Sequence, residues 1–340
     1  MTRTWFNTTF SSIHVALRLI REMDREGCYQ IICSSSNQHA ITALASHEFY
    51  QEPKGLSATE YRNWCLNFAK ENDIQIFVPG KEASLISGSH DLFEAGGTRV
   101  LSATRPDMLD ILHNKATFYA FVKSIFAPPP VWKAISNNIE FELAFDELSS
   151  LSAQLCIKPA VSVFGIGFRR IRTDKSDFDL MMQGSDHQIS LHSLKEMLKQ
   201  ADVFPTLLLM EYLAGNEYSV DCLCNEGELV CAVPRKKNFQ VGDGQLIDDR
   251  ADIISACNEI VSQFFLNGYI NIQFREGDQG LRVLEVNPRM SGGIGMACLS
   301  GINLPYLGLA GFDRGYECID IPELVKGARV GEINLPVVLP

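Results

Sequence analysis

Leu281-Arg282-Val283-Leu284-Glu285-Val286-Asn287-Pro288-Arg289 reads as a β-strand that ends in an Asn-Pro turn and meets a fixed positive charge at once. Side chains alternate along a strand, so Glu285 and Asn287 share a face, roughly 6–7 Å apart. That spacing suits two oxygen ligands reaching a pair of hard cations about 3.5–4 Å apart. Tyr269–Phe274 reads as the preceding strand, joined through Glu276-Gly277-Asp278-Gln279-Gly280. If those five residues form the turn, residue 275 pairs with 281. Gln273 then falls on the face of Glu285 and Asn287, one diagonal step from 285. A carboxylate and two amides are a donor set that Mg²⁺ accepts. The plainer reading is a strand with a polar face. It leaves Glu285, set between apolar neighbours, without the partner that a buried carboxylate requires.

Three stretches upstream carry weaker signals. Asn114 can cap a helix running from Lys115 to Phe126, stopped by Ala127-Pro128-Pro129-Pro130. Lys158 stands at a strand end before a loop with Gly165 and Gly167, an arrangement that can hold phosphates by charge and by backbone N–H groups. It lacks the terminal Gly-Lys-Ser/Thr of a Walker A loop. The strand Thr206–Tyr212 runs into Leu213-Ala214-Gly215-Asn216-Glu217, where backbone groups could bracket a purine and Glu217 could take a ribose. Arg235-Lys236-Lys237 could touch phosphates or an anionic substrate; a solvated turn is the equal alternative. His187 and His192 read as surface residues.

In their order, Lys115, Lys158 with Gly165 and Gly167, Glu211 to Glu217, and Glu285-Val286-Asn287-Pro288-Arg289 resemble the ATP-grasp superfamily, over about residues 114–295. The Gln273/Glu285/Asn287/Arg289 set resembles the carbamoyl-phosphate-synthase branch. It is also similar to small ATP-grasp proteins encoded with tellurite-resistance and stress operons. The resemblance implies ATP with two Mg²⁺ (or Mn²⁺) and phosphoryl transfer to a small-molecule carboxylate. An amine or similar nucleophile would then attack the acyl phosphate. It implies phosphate contacts from Lys115, Lys158 and Arg235, adenine contacts at Glu211 and Leu213, and ribose at Glu217. Metal ligation would fall to Gln273, Glu285 and Asn287, and catalysis to Arg289 with Lys158. Two departures stand out: Val163-Phe164 occupies the loop where many relatives have more glycines, and Gln273 replaces an acidic ligand. A phosphotransferase on the same fold and a non-catalytic nucleotide-binding module stay open as alternatives.

The rest of the chain frames this site. With 340 residues, 46% hydrophobic and 21% charged, the composition excludes disorder and fibre and predicts two or three domains. Before residue 114, strands at Trp5-Phe6, Tyr29–Cys33 and Ile74–Val78 alternate with helices, one of them capped by Ser11 or Ser12 and another over 60–70. That pattern predicts a parallel α/β sheet, without the G-x-G-x-x-G of a dinucleotide site. The resulting expectation is mixed α/β and α+β: an N-terminal α/β domain (1–113), a lid with its lead-in helix (114–210) and a C-terminal lobe with an antiparallel sheet (211–340). A net charge of -11 argues against nucleic acid or an anionic membrane as partner. No apolar run of membrane-spanning length and no signal-peptide pattern follow Met1, so the cytoplasm is expected, with a homodimer as one oligomeric option. Ten cysteines without metal spacing read as small thiols, most of them buried.

Overall fold

The computed structural model describes all residues except 10–12, 164, 185–186, 202, 238–243, 334 and 340, so the expected caps Ser11 and Ser12, and Phe164 of the lid loop, lie outside the described residues. Apolar residues at both parities of the first strands, Trp5 against Phe6 and Ile31 against Ile32, demand cover on both faces. The result is a five-stranded parallel sheet of β1 (Thr2–Phe6), β2 (Tyr29–Ser35), β3 (Glu48–Gln51), β4 (Ile76–Val78) and β5 (Arg99–Val100), in the order β3-β2-β1-β4-β5. The helix His14–Met23 buries Ala16, Leu17 and Ile20 on one face. The helix Ala58–Glu71, started by a Ser57/Glu60 capping box, buries Tyr61, Cys65 and Phe68 on the other.

Mixed pairing builds the second sheet from β6 (Trp132–Ile135), β7 (Leu155–Pro159), β8 (Arg169–Arg172), β9 (Gln188–Ser190) and β10 (Leu207–Glu211), ordered β6-β10-β7-β8-β9. Helices Asn138–Leu151 and Leu191–Lys199 cover one face through Phe141, Leu148, Leu194 and Leu198. The other face carries Cys156, Lys158 and Met210 toward the third sheet. That sheet is antiparallel, with β11 (Glu217–Asn225), β12 (Glu228–Lys237), β13 (Gln245–Ile247), β14 (Gly268–Gly277), β15 (Gly280–Asn287) and β16 (Arg329–Val330) in the order β15-β14-β11-β12-β13-β16. The helix Ala251–Gln263 packs Ile253, Cys257 and Ile260 against Val220, Cys222 and Ile272, and the helix Leu304–Arg314 closes part of the opposite face. The fold is therefore mixed α/β: parallel first, then a mixed sheet, then an antiparallel one.

Two elements differ from the sequence expectation. The helix opened by Asn114, whose side chain accepts from the Ala116 N–H at 2.9 Å, stops at Phe121 rather than Phe126. The next residues are drawn off by Ala251–Gln263: Lys123 N–H donates to Gln263, and Ser124 Oγ and Ile125 N–H donate to Glu259. The hairpin turn is also tighter. Gly277 pairs with Gly280 and Arg275 with Arg282, and a bulge at Leu284 then sets Gln273 directly opposite Glu285. One extra residue on β15 changes which of its side chains meets Gln273. All ten cysteines are free; six are buried, and Cys318 is exposed. Among the described residues no helix is long and apolar enough to cross a membrane.

Candidate active site

One face of the antiparallel sheet carries two cross-strand rows of polar side chains. The first runs Arg235, Ser219, Gln273, Glu285; the second brings Asp221, Asn271 and Asn287 into line. A single apolar parity on β11 (Tyr218, Val220, Cys222, Cys224) fixes this orientation by burying the opposite face under Ala251–Gln263. Glu285 sits at one end of the rows, held from two sides. Its Oε2 lies 3.3 Å from Lys115 Nζ, and its Oε1 accepts from Asn287 Nδ2 at 3.1 Å. Asn287 Oδ1 accepts in turn from Arg289 Nη2 at 3.3 Å. Gln273 donates to Asn271 at 3.5 Å.

Above this row the second sheet contributes Lys158 from β7. Its Nζ donates to the Tyr119 hydroxyl at 2.9 Å, and Tyr119 donates to the Leu284 carbonyl at 2.8 Å. Lys115 Nζ donates to the Ser162 carbonyl at 2.9 Å, which ties the helix Lys115–Phe121 to the loop between β7 and β8. That loop needs its glycines: Gly165 and Gly167 have φ of +68° and +81°, and a Cβ on Gly167 would sit 2.7 Å from the Pro159 ring. Gly165 faces the cleft; Gly167 lies behind it against Pro159.

Two ammonium groups thus face the Glu285 carboxylate in a cleft of about 220 Å³. Burial lowers the pKa of Lys158, only partly offset by Cys156 and Glu285. For Glu285 burial works upward, yet Lys115, Asn287 and Lys158 together hold its pKa below the ordinary carboxylate value. Burial lowers Arg289, with Glu285 and Asp221 opposing. This end of the cleft is short of negative charge, the condition an anionic ligand relieves. One carboxylate and two amide side chains are an all-oxygen donor set. The carboxylate already holds a cation, the Lys115 ammonium. The residues present therefore fit Mg²⁺ and a polyphosphate.

At the far end the cleft becomes apolar, walled by Cys156, Phe168, Met210, Tyr212, Leu213 and Leu284. The Leu213 N–H has no hydrogen-bond partner among the described residues, and the Glu211 carbonyl accepts from the weak Cys156 thiol donor at 3.6 Å. These two backbone groups form a donor–acceptor edge. The Glu211 carboxylate is engaged elsewhere: it accepts from the Val131 N–H at 2.9 Å and pairs with Arg282 at 3.4 Å, joining the second sheet to the third. Glu217 lines the cleft and pairs with Lys237, and with Arg275 at 3.5 Å.

Asn287 and Arg289 adjoin the cleft through Glu285, whereas Arg235 is turned away from it. Arg235 is 2% exposed, and its guanidinium binds the Asp221 carboxylate through Nε at 3.1 Å and Nη2 at 2.8 Å, with further donation to Ser219, Ser291 and Gln245. Asp221, buried on the neighbouring strand β11, absorbs the charge that the sequence offers as a phosphate contact.

Sequence reasoning missed Tyr119, Tyr212 and Arg275. Tyr119 was within reach, because it lies four residues after Lys115 and so on the same helical face. Arg275 is two residues from Gln273 on β14, and it and Arg170 of β8 flank the Tyr212 ring at 5.5 and 4.4 Å.

Residues 203–336 match a family described as ATP-grasp in the biosynthetic pathway with Ter operon. The arginine-specific large chain of carbamoyl phosphate synthase from Geobacillus stearothermophilus is 23% identical over 303 residues, covering 83% of this chain and 25% of that protein. The chain thus spans about a quarter of the length of that curated relative. Among solved structures, an L-amino acid ligase from Bacillus licheniformis has a TM-score of 0.62 at 14% identity, covering 92% of this chain and 74% of its own. N5-carboxyaminoimidazole synthetase from Staphylococcus aureus has a TM-score of 0.65 at 11% identity, covering 95% and 80%. In sequence over residues 203–336, and in fold over nearly the whole chain, the protein is similar to ATP-grasp proteins. The curated relative named above and a second one like it, at 24% identity over 212 residues, are large chains of carbamoyl phosphate synthase, to which this chain is similar.

Proposed function

We propose that the chain is an ATP-dependent ligase that joins a carboxylate to an amine or similar nucleophile through an acyl phosphate. The observation that carries this reading is the gathering of two lysines, Lys115 and Lys158, around the carboxylate of Glu285 in one cleft. In this reading Lys115, Lys158 and the loop around Gly165 and Gly167 bind phosphates. The Glu211 carbonyl and Leu213 N–H take the adenine edge. Glu217 keeps acceptor positions for a ribose, since a carboxylate offers about four. Gln273, Glu285 and Asn287 hold Mg²⁺, which when bound supplies charge neutralisation on the phosphates. Arg289 steadies the group in transfer. The working division of the chain is then 1–113, 114–210 and 211–340.

A carboxylate oxygen of the acid attacks the terminal phosphorus of ATP, the bond to the bridging oxygen breaks, and ADP leaves. The nucleophile's nitrogen attacks the acyl carbon, phosphate leaves, and the nitrogen's proton passes to water. Positioning and charge neutralisation are most of what this transfer needs. With hydroxylamine as the nucleophile and a panel of small acids, the full chain is expected to release ADP and form a hydroxamate. ADP with a stable phosphate ester of an alcohol, and no hydroxamate from any acid, would establish a kinase instead.

Lys158 also gives a pH signature. Its lowered pKa means that it loses its proton, and its pull on phosphate, at a pH below the 10.5 of an ordinary lysine. MgATP affinity is expected to weaken on that alkaline limb. Lys158→Arg, which stays charged, should move the limb upward. Calorimetric titrations from neutral pH up to about pH 10, just short of an ordinary lysine's pKa, check this. Identical profiles for both proteins would remove Lys158 from phosphate binding.

A further inference from the structure

A second cavity opens on the other side of Arg289, where the parallel sheet meets the antiparallel one. It lies past the carboxyl ends of β1 and β4, at the point where the strand order of the parallel sheet reverses, a usual place for a ligand in an open α/β sheet. Phe6, Val78, Leu101, Leu109, Pro288 and Met290 give it apolar walls. Arg289 is the one charged side chain among the described residues that line it. The same Arg289 donates to Asn287, which donates to Glu285, so the cavity adjoins the cleft described above.

Resting on the ligase reading, the geometry points to a short monocarboxylic acid with an uncharged, largely apolar body as the acid substrate. Arg289 supplies one cation for one carboxylate. A second carboxylate, or an α-ammonium group, would enter a low-dielectric wall with no opposite charge to meet it. The cavity is small, about 40 Å³. At about 10–15 Å³ for each water that is room for roughly three, hence for a body of about three or four heavy atoms. The polar groups of the wall are largely spent. Asn7 bonds Tyr61, Lys81 and Gly80; Asn267 bonds Ser102 and Glu226; the Tyr269 hydroxyl donates to Pro305. Ser102 Oγ is the exception, buried without a partner among the described residues, and admits one hydroxyl on the acid.

Calorimetry on the full chain with butyrate, succinate and 2-aminobutyrate tests the assignment, beside the hydroxamate assay with each. Butyrate is expected to bind at least tenfold more tightly than either charged analogue, and Arg289→Met should abolish that binding. Ala83→Leu, which fills the cavity from a half-buried helix start, should weaken butyrate at least tenfold. Ala103→Val fills it from another wall should the first variant melt early. Tighter binding of succinate or 2-aminobutyrate, or butyrate binding untouched by both filling variants, overturns the assignment. Hydroxamate from a dicarboxylate or amino acid without butyrate binding overturns it too, and leaves the ligase reading standing. Butyrate binding that depends on Arg289 and Ala83, with no hydroxamate from any acid, supports the cavity assignment while the ligase reading falls.

Discussion

Glu285→Gln is expected to keep the fold and lose ATP turnover by roughly a thousandfold or more. The substitution preserves size but keeps one acceptor oxygen where Asn287 and Lys115 use two, and it removes the only carboxylate of the Gln273/Glu285/Asn287 donor set. Metal-assisted charge neutralisation of a transferring phosphoryl contributes several kcal/mol, and about 1.4 kcal/mol is tenfold in rate. The same charge sets the metal dependence of binding. In the unmodified protein Glu285 repels the triphosphate when no divalent cation is present, so a chelator should weaken ATP binding sharply. In Glu285→Gln that repulsion is gone, and ATP affinity should respond much less to the chelator. Melting curves, ADP release and calorimetry with and without chelator, measured on both proteins, separate these effects. Near-normal turnover in the variant would remove Glu285 from the mechanism. Equal chelator sensitivity in both proteins would remove it from the metal site.

The hairpin that carries Glu285 was legible because a strand alternates its faces, and Glu-x-Asn-Pro-Arg leaves few readings. The helix at Lys115 was legible through its Asn114 cap. The bulge at Leu284 was not, because an extra residue on one strand leaves no mark in a run of apolar side chains. The end of that helix at Phe121 was hidden for a different reason. Nothing local stops it; Glu259 and Gln263, far along the chain, take the next backbone groups. The helix Asn138–Leu151 escaped notice because Ile139, Leu143 and Leu151 are exposed and blur the apolar stripe of Phe141, Ala144 and Leu148. The destination of Arg235 is a tertiary fact as well. A charge run on an antiparallel strand reads as solvated until the strand beside it is known to hold Asp221.

Asp221→Ala is expected to destabilise the protein by about 3–5 kcal/mol, the usual cost of removing one partner of a buried ion pair. Both side chains of this pair are 2% exposed, so the Arg235 charge left behind would have no water to turn to. Asp221 Oδ1 also accepts from Asn271 at 3.1 Å, a bond the variant removes, although the Asn271 amide keeps Ser219 Oγ and the Val220 carbonyl as acceptors. At about 2.1 cal/mol/K per residue of unfolding entropy, a loss of that size in a chain of this length lowers the melting temperature by roughly 4–7 °C. Arg235→Met alone should cost less, because Asp221 keeps its Asn271 bond. The double variant Asp221→Leu/Arg235→Met should recover most of the loss, since an apolar pair of similar volume replaces both charges. The space allows it only within limits: a Cβ on Gly293 would already lie 2.5 Å from the Arg235 guanidinium, so the pocket is filled to contact. Thermal melts of the three variants decide the matter. An Asp221→Ala protein melting within about 1 °C of the parent would mean that the pair contributes little. A double variant no better than Asp221→Ala would mean that the hydrogen bonds to Ser219, Ser291 and Gln245, rather than the opposed charges, hold this face of the sheet in place.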